Sequence, residues 1–97
     1  MAEQTLLNRL RNNEQMAINE TYQRNWIPCT SFVKRNNGSD QHAEDMYQDT
    51  WMVLLKNLDN GIALKNENAA GVDAYLRGIN KNLWLGYIRK SAKADYE

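Results

Sequence analysis

Asp45, Gln48, Asp49, Met52 and Lys56 recur at intervals of three or four residues, so on an α-helix they share one arc. Two carboxylates, an amide and a flexible thioether do not form a catalytic set. They suit docking on a basic partner, with Met52 as the apolar contact, and they equally suit a plain solvated face. A second constellation follows later in the chain, where Arg77, Lys81, Trp84 and Ile88 share an arc with Leu85 and Arg89 beside it. Cations track phosphates and an exposed ring offers bases a stacking surface, which is the chemistry of single-stranded nucleic-acid binding. The same periodicity also fits a helix that packs on two sides, with Trp84 and Ile88 against another segment.

Other chemistries find little support. Cys29 is the only cysteine and His42 the only histidine, so neither an intrachain disulfide nor a structural zinc site can be assembled. Cys29 is expected in the core, and His42 in the first turn of a helix with no acid–base partner near it in sequence. There is no phosphate-binding glycine loop and no nucleophile–base pair, so an enzyme is not expected and no cofactor is implied. Asn19-Glu20-Thr21 and Asn37-Gly38-Ser39 match the glycosylation pattern, which means little without a secretory signal.

The 97 residues are enough for one domain with one core, and 42% hydrophobic with 25% charged residues is ordinary for a globular chain. No apolar run approaches the roughly 18 residues of a membrane span, and Met1-Ala2-Glu3-Gln4-Thr5 does not begin a signal sequence. A cytoplasmic protein without a membrane partner is expected. The net charge of zero conceals a segregation. Asp40, Glu44, Asp45 and Asp49 make one stretch acidic, whereas Arg77, Lys81, Arg89, Lys90 and Lys93 make another basic. One element could meet a basic partner and another a polyanion, or the two could pair with each other.

The elements that must position these residues are helices. Leu6, Leu7 and Leu10 mark a short first helix that stops at Asn12-Asn13. Asn12 and Gln15 form a plausible capping box for a second, with a stripe of Met16, Ile18, Tyr22, Trp26, Cys29, Phe32 and Val33. Pro28 should bend or break it near Trp26-Ile27. Asn36-Asn37-Gly38 ends that helix, and Ser39 or Asp40 caps a third that runs to about Leu58 and buries Ala43, Met46, Tyr47, Thr50, Trp51, Leu54 and Leu58. Asp59 to Gly71 reads as a long loop, either a site or a floppy insertion. The last helix, from about Val72 to Ala92, should bury Val72, Tyr75, Leu76, Ile79, Leu83 and Tyr87. Gly78 and Gly86 within it call for close packing or close ligand approach as compensation. The expected fold is all-α, a small bundle of three main helices plus a short N-terminal one.

Ala43-Glu44-Asp45-Met46-Tyr47-Gln48-Asp49-Thr50-Trp51, followed by Ala74-Tyr75-Leu76-Arg77-Gly78-Ile79-Asn80-Lys81-Asn82-Leu83, resembles the second conserved region of bacterial sigma factors. The extracytoplasmic-function class is the nearest. Leu6 to Asn12, Tyr22 to Pro28 and Phe32 to Arg35 fit the same class, so the resemblance covers nearly the whole chain. It implies a helical domain that joins core RNA polymerase and recognises and melts the promoter minus-ten element. Asp45, Gln48 and Asp49 would then meet the clamp helices of the largest polymerase subunit, and Met52 joins them on the physical grounds above. The loop before the last helix would hold a flipped base of the non-template strand. Asn82 falls where the family often has asparagine, and Arg77, Lys81, Arg89 and Lys90 would position phosphates.

Gly78 and Gly86 stand where arginine and aspartate are common in that class, and Trp84 where a small residue is usual. The promoter contacts implied are therefore weaker or different. The class also carries a second helical domain for the minus-thirty-five element, which these residues do not include. The chain is thus read either as a piece of a longer sigma factor or as a standalone copy. The second possibility makes it a negative effector that binds polymerase or an anti-sigma partner.

Overall fold

The computed structural model describes the backbone of residues 4–95 and the side chains of residues 4–92. Four helices follow in order: α1 (Leu6–Arg11), α2 (Gln15–Arg35), α3 (Asp40–Asp59) and α4 (Ala69–Asp95). There is no strand among the described residues, so the all-α expectation of three long helices and one short one holds.

The boundaries have local causes. Thr5 caps α1, accepting the Asn8 N–H at 3.2 Å. Asn12 closes that helix and does not open the next, and Asn13 turns the chain at φ 57°. Glu14 stands at the start of α2 without a side-chain cap bond, because its carboxylate is engaged by Arg9 at 3.3 Å. The capping box expected from Asn12 and Gln15 is therefore absent. Pro28 lies inside α2, which continues as one helix through residues 15–35, so of the expected bend or break the break does not occur. Asn37 reverses the chain at φ 72°, and Gly38 donates to the Val33 carbonyl at 2.9 Å. A methyl group on Gly38 would crowd that carbonyl at 2.8 Å, which explains glycine at this close approach. Ser39 then caps α3 by accepting from the His42 N–H at 3.0 Å, while His42 Nδ1 accepts the Ser39 N–H at 3.1 Å.

α3 buries all seven residues of its expected stripe. Tyr47 ties it to α2 by donating to the Tyr22 carbonyl at 2.6 Å, and desolvation pushes its phenol up from the ordinary value. The neighbouring helices depart from the apolar pattern. α2 turns Ala17, Thr21, Asn25, Cys29 and Val33 inward at successive steps of four and leaves Met16 67% exposed. α4 buries Val72, Leu76, Asn80 and Trp84 on the same interval, with Asp73 buried next to Val72, while Tyr87 stays 45% exposed. The inward faces of both helices are partly polar, and hydrogen bonds make that possible. Asn80 donates to the Cys29 carbonyl at 3.2 Å, and the Thr50 hydroxyl lies 3.1 Å from Asn80 Oδ1. The three long helices are thus joined at mid-height by amide and hydroxyl groups.

Candidate nucleic-acid and partner interface

On α3 the structure leaves Asp45, Gln48, Asp49, Met52 and Lys56 all exposed on the side away from the core. Met52, at 68%, is one of the most exposed large apolar side chains. Asp45 accepts a hydrogen bond from Gln41 on the same helix at 2.9 Å, a surface contact that leaves the carboxylate accessible. Leu55 is 39% exposed beside Met52 and adds apolar area that the spacing argument did not include. The arc is backed by the Tyr22, Trp26, Tyr47 and Trp51 rings, whose neighbouring centroids lie 4.9–6.0 Å apart. The exposed residues therefore stand on a rigid aromatic base.

The α4 residues do not form a single face. Arg77 and Lys81 border a groove between α2 and α4, together with Pro28, Phe32 and Arg35. Asn82 and Lys90 border a different groove, of about 280 Å³, between α3 and α4, where Asp49, Gly86 and Tyr87 join them. Arg89 is exposed on the far part of the helix and makes only a long 3.4 Å bond to the Leu85 carbonyl. The candidate DNA residues thus flank α4 on both sides, and Asp49 of the docking arc shares a groove with two of them.

Trp84 requires a correction. It is 2% exposed and packs with Val33, Ala43 and Met46, and its indole N–H donates to the Asn36 carbonyl at 3.1 Å. The His42 and Tyr87 rings cover it at 5.4 and 5.2 Å. A base cannot stack on a ring so enclosed. Trp84 belongs to the core, and Tyr87, expected in the core, is the ring left open beside Lys90. The steps of four from Val72 through Leu76 and Asn80 lead to Trp84, so the buried stripe takes in that ring and leaves Tyr87 outside it.

Arg77 is held from behind by a buried chain of polar groups. Its Nε donates to Asn25 Oδ1 at 2.8 Å, and Asn25 Nδ2 donates to Asp73 Oδ1 at 2.9 Å and to the Thr21 carbonyl at 2.9 Å. Arg24 grips both oxygens of Asp73 at 2.7 and 2.8 Å. Burial by itself would raise the Asp73 carboxyl, but hydrogen bonds from Arg24 and Asn25 and the charges of Arg24 and Arg77 hold it below the ordinary value. The hydrogen bond to Asp73 raises Arg24 in turn. Asp73 and Asn25 were not candidates in the sequence, since their polarity disguised them as surface residues.

The segment between α3 and α4 is shorter and firmer than expected. It spans residues 60–68, because α4 already begins at Ala69. Leu7 N–H donates to the Glu67 carbonyl at 3.0 Å, the Thr5 hydroxyl to Glu67 Oε1 at 2.9 Å, and Arg11 Nη2 to the Ile62 carbonyl. Ile62 and Leu64 pack on the core. A floppy insertion is excluded by these anchors. Gly71 is glycine because a methyl there would run into the Asn66 backbone. At Gly78 and Gly86 an added methyl meets nothing within 4 Å, so close packing does not compensate there.

Among the described residues no three His, Cys, Asp or Glu side chains converge as metal ligands, and no helix is long and apolar enough to cross a membrane. Cys29 is buried, with its thiol pushed up to about 11 chiefly by desolvation. No protein-family model, curated protein or solved structure matches the chain.

Proposed function

We propose that the chain is a sigma-factor region 2-like domain of the extracytoplasmic-function class, binding core RNA polymerase and helping to recognise and melt the promoter minus-ten element. The observation that carries this reading is the α3 arc. Asp45, Gln48, Asp49 and Met52 stand exposed together on a helix whose other face is fully committed to the core. That is a surface suited to a basic helical partner, and the clamp helices of the largest polymerase subunit are the partner the resemblance names. Asn82 and Lys90, in the groove that Asp49 also borders, would take the non-template strand, with Arg77 and Lys81 on the opposite flank of α4. The work is done by binding alone, and a cytoplasmic location goes with it.

A second reading is favoured by the burial of Trp84, which removes one aromatic contact from the DNA side while leaving the α3 arc whole. On that reading the chain occupies polymerase, or an anti-sigma partner, and lowers sigma-dependent transcription. Pull-down of purified core polymerase by the chain, followed by in vitro transcription, separates the two. Stimulated promoter opening supports the initiation domain, and inhibition with retained binding supports the negative effector. If core polymerase is not retained, the initiation domain and the polymerase-binding form of the negative effector both fail, and only binding to an anti-sigma partner is left.

A further inference from the structure

The groove between α2 and α4 has about 280 Å³ of space, with Pro28 and Phe32 along one wall and Arg35, Arg77 and Lys81 around it. We propose that it binds one nucleotide unit of a single-stranded nucleic acid, its phosphate held by Arg35, Arg77 and Lys81 and its base laid on Phe32. This deepens the nucleic-acid half of the reading above and rests on it, but it does not require polymerase.

Three features point to this ligand. First, the lining residues include three cations and no acid. None of the three cations joins an ion pair among the described residues. Asp73 lies behind Arg77 through Asn25, but no carboxylate lines the groove itself, so the like charges of Arg35 and Lys81 repel there and a phosphodiester relieves that repulsion. Second, Arg77 is held in place beforehand, because Asn25, itself bonded to Asp73, takes its Nε and leaves the outer guanidinium nitrogens for a ligand. Third, Pro28 and Phe32 are four residues apart on α2 and put apolar surface beside the charges, with Phe32 partly buried against the Trp84 cluster, and nucleotides need that pairing whereas simple anions do not use it. The volume, about 280 Å³, falls just below the range of about 300–1,000 Å³ for ligand pockets, which leaves room for a base with its phosphate and not for a larger cofactor. Sequence periodicity missed Arg35 and Phe32 because they lie on a different helix from the basic run.

The test uses the full chain without polymerase and a fluorescently labelled single-stranded oligodeoxythymidylate, with anisotropy read over a series of salt concentrations. One neutralised phosphate predicts a log–log salt slope of about −0.7, and Arg35→Ala or Lys81→Ala should each flatten it and weaken binding several-fold. Phe32→Leu retains an apolar side chain and, with folding verified by circular dichroism, should weaken binding about fivefold or more without altering the slope. Duplex of the same length should bind less tightly, since its bases are not free to stack. Unchanged affinity and slope in both cation variants would overturn the site. Displacement by inorganic polyphosphate together with an unaffected Phe32→Leu variant would overturn the nucleotide assignment and leave a general anion site. Because none of these residues lies on the α3 arc, failure to bind polymerase would sink the earlier reading without changing these results.

Discussion

Replacing Asp73 by asparagine preserves the side chain's shape and removes its charge. In the native chain its oxygens accept two hydrogen bonds from Arg24, at 2.7 and 2.8 Å, and one from Asn25 at 2.9 Å, with the side chain 13% exposed. Hydrogen bonds to charged groups contribute about 1.5–3 kcal/mol. Arg24 is 35% exposed, so water takes over much of its share, and Asn25 retains the Thr21 carbonyl. The expected loss is about 2–3 kcal/mol, below the roughly 3–5 of breaking a fully buried pair. In a domain of this size that lowers the thermal midpoint by about 10–20 °C. The pH dependence gives a second handle. The folded carboxyl sits below its unfolded value, so its stabilisation is complete above about pH 4 and is lost as pH falls through the folded value. Denaturant melts followed by circular dichroism should therefore show a constant gap between native and Asp73→Asn proteins near neutrality and a narrowing gap in acid. A gap below about 0.5 kcal/mol, the size of an ordinary surface substitution, would refute the network's role, as would a gap that acid leaves unchanged.

Trp84→Ala should cost about 3–5 kcal/mol in urea denaturation, as expected for a large core side chain, and a loss typical of a surface residue would return the ring to solvent. Gly71→Ala forces the Asn66 backbone aside, so a loss of about 1–3 kcal/mol and faster amide exchange in residues 62–67 are expected. Cys29 should react slowly with a disulfide reagent at pH 8 and rapidly once urea unfolds the chain, because burial keeps its thiol neutral. Rapid reaction in the native state would contradict that burial.

The stretch from Ser39 to Leu58 was legible in the sequence because every signal there agrees. A cap, an acidic first turn and an apolar stripe point to one helix in one orientation, and all seven stripe residues are buried. α2 and α4 were legible as helices but not in their rotation. Their inward faces include Asn25, Asp73 and Asn80, whose polar groups are satisfied by partners 30 to 52 residues away or by the preceding turn, and Thr21, whose hydroxyl is buried without a hydrogen-bond partner among the described residues. Hydrophobic periodicity is blind to such pairs. That is why the apolar pattern turns Met16, Tyr22 and Tyr87 inward and leaves Trp84 open to either side. The grooves were beyond reach for the same reason, since Arg35 meets Arg77, and Asp49 meets Lys90, only once the rotation of each helix is known. Two of the loop's three anchors end on backbone carbonyls, those of Glu67 and Ile62, which residue types do not announce.

The most direct test is the affinity of the chain for purified core RNA polymerase, measured for the native protein and for Asp45→Ala, Gln48→Ala and Met52→Ala. All three side chains are exposed, so the variants should melt like the native protein. Docking through α3 predicts losses of about fivefold or more, the roughly 1 kcal/mol that separates a contributing interface residue from a neutral one, in at least Asp45→Ala or Gln48→Ala. Undiminished affinity in all three, or no measurable binding by the native chain, would contradict it.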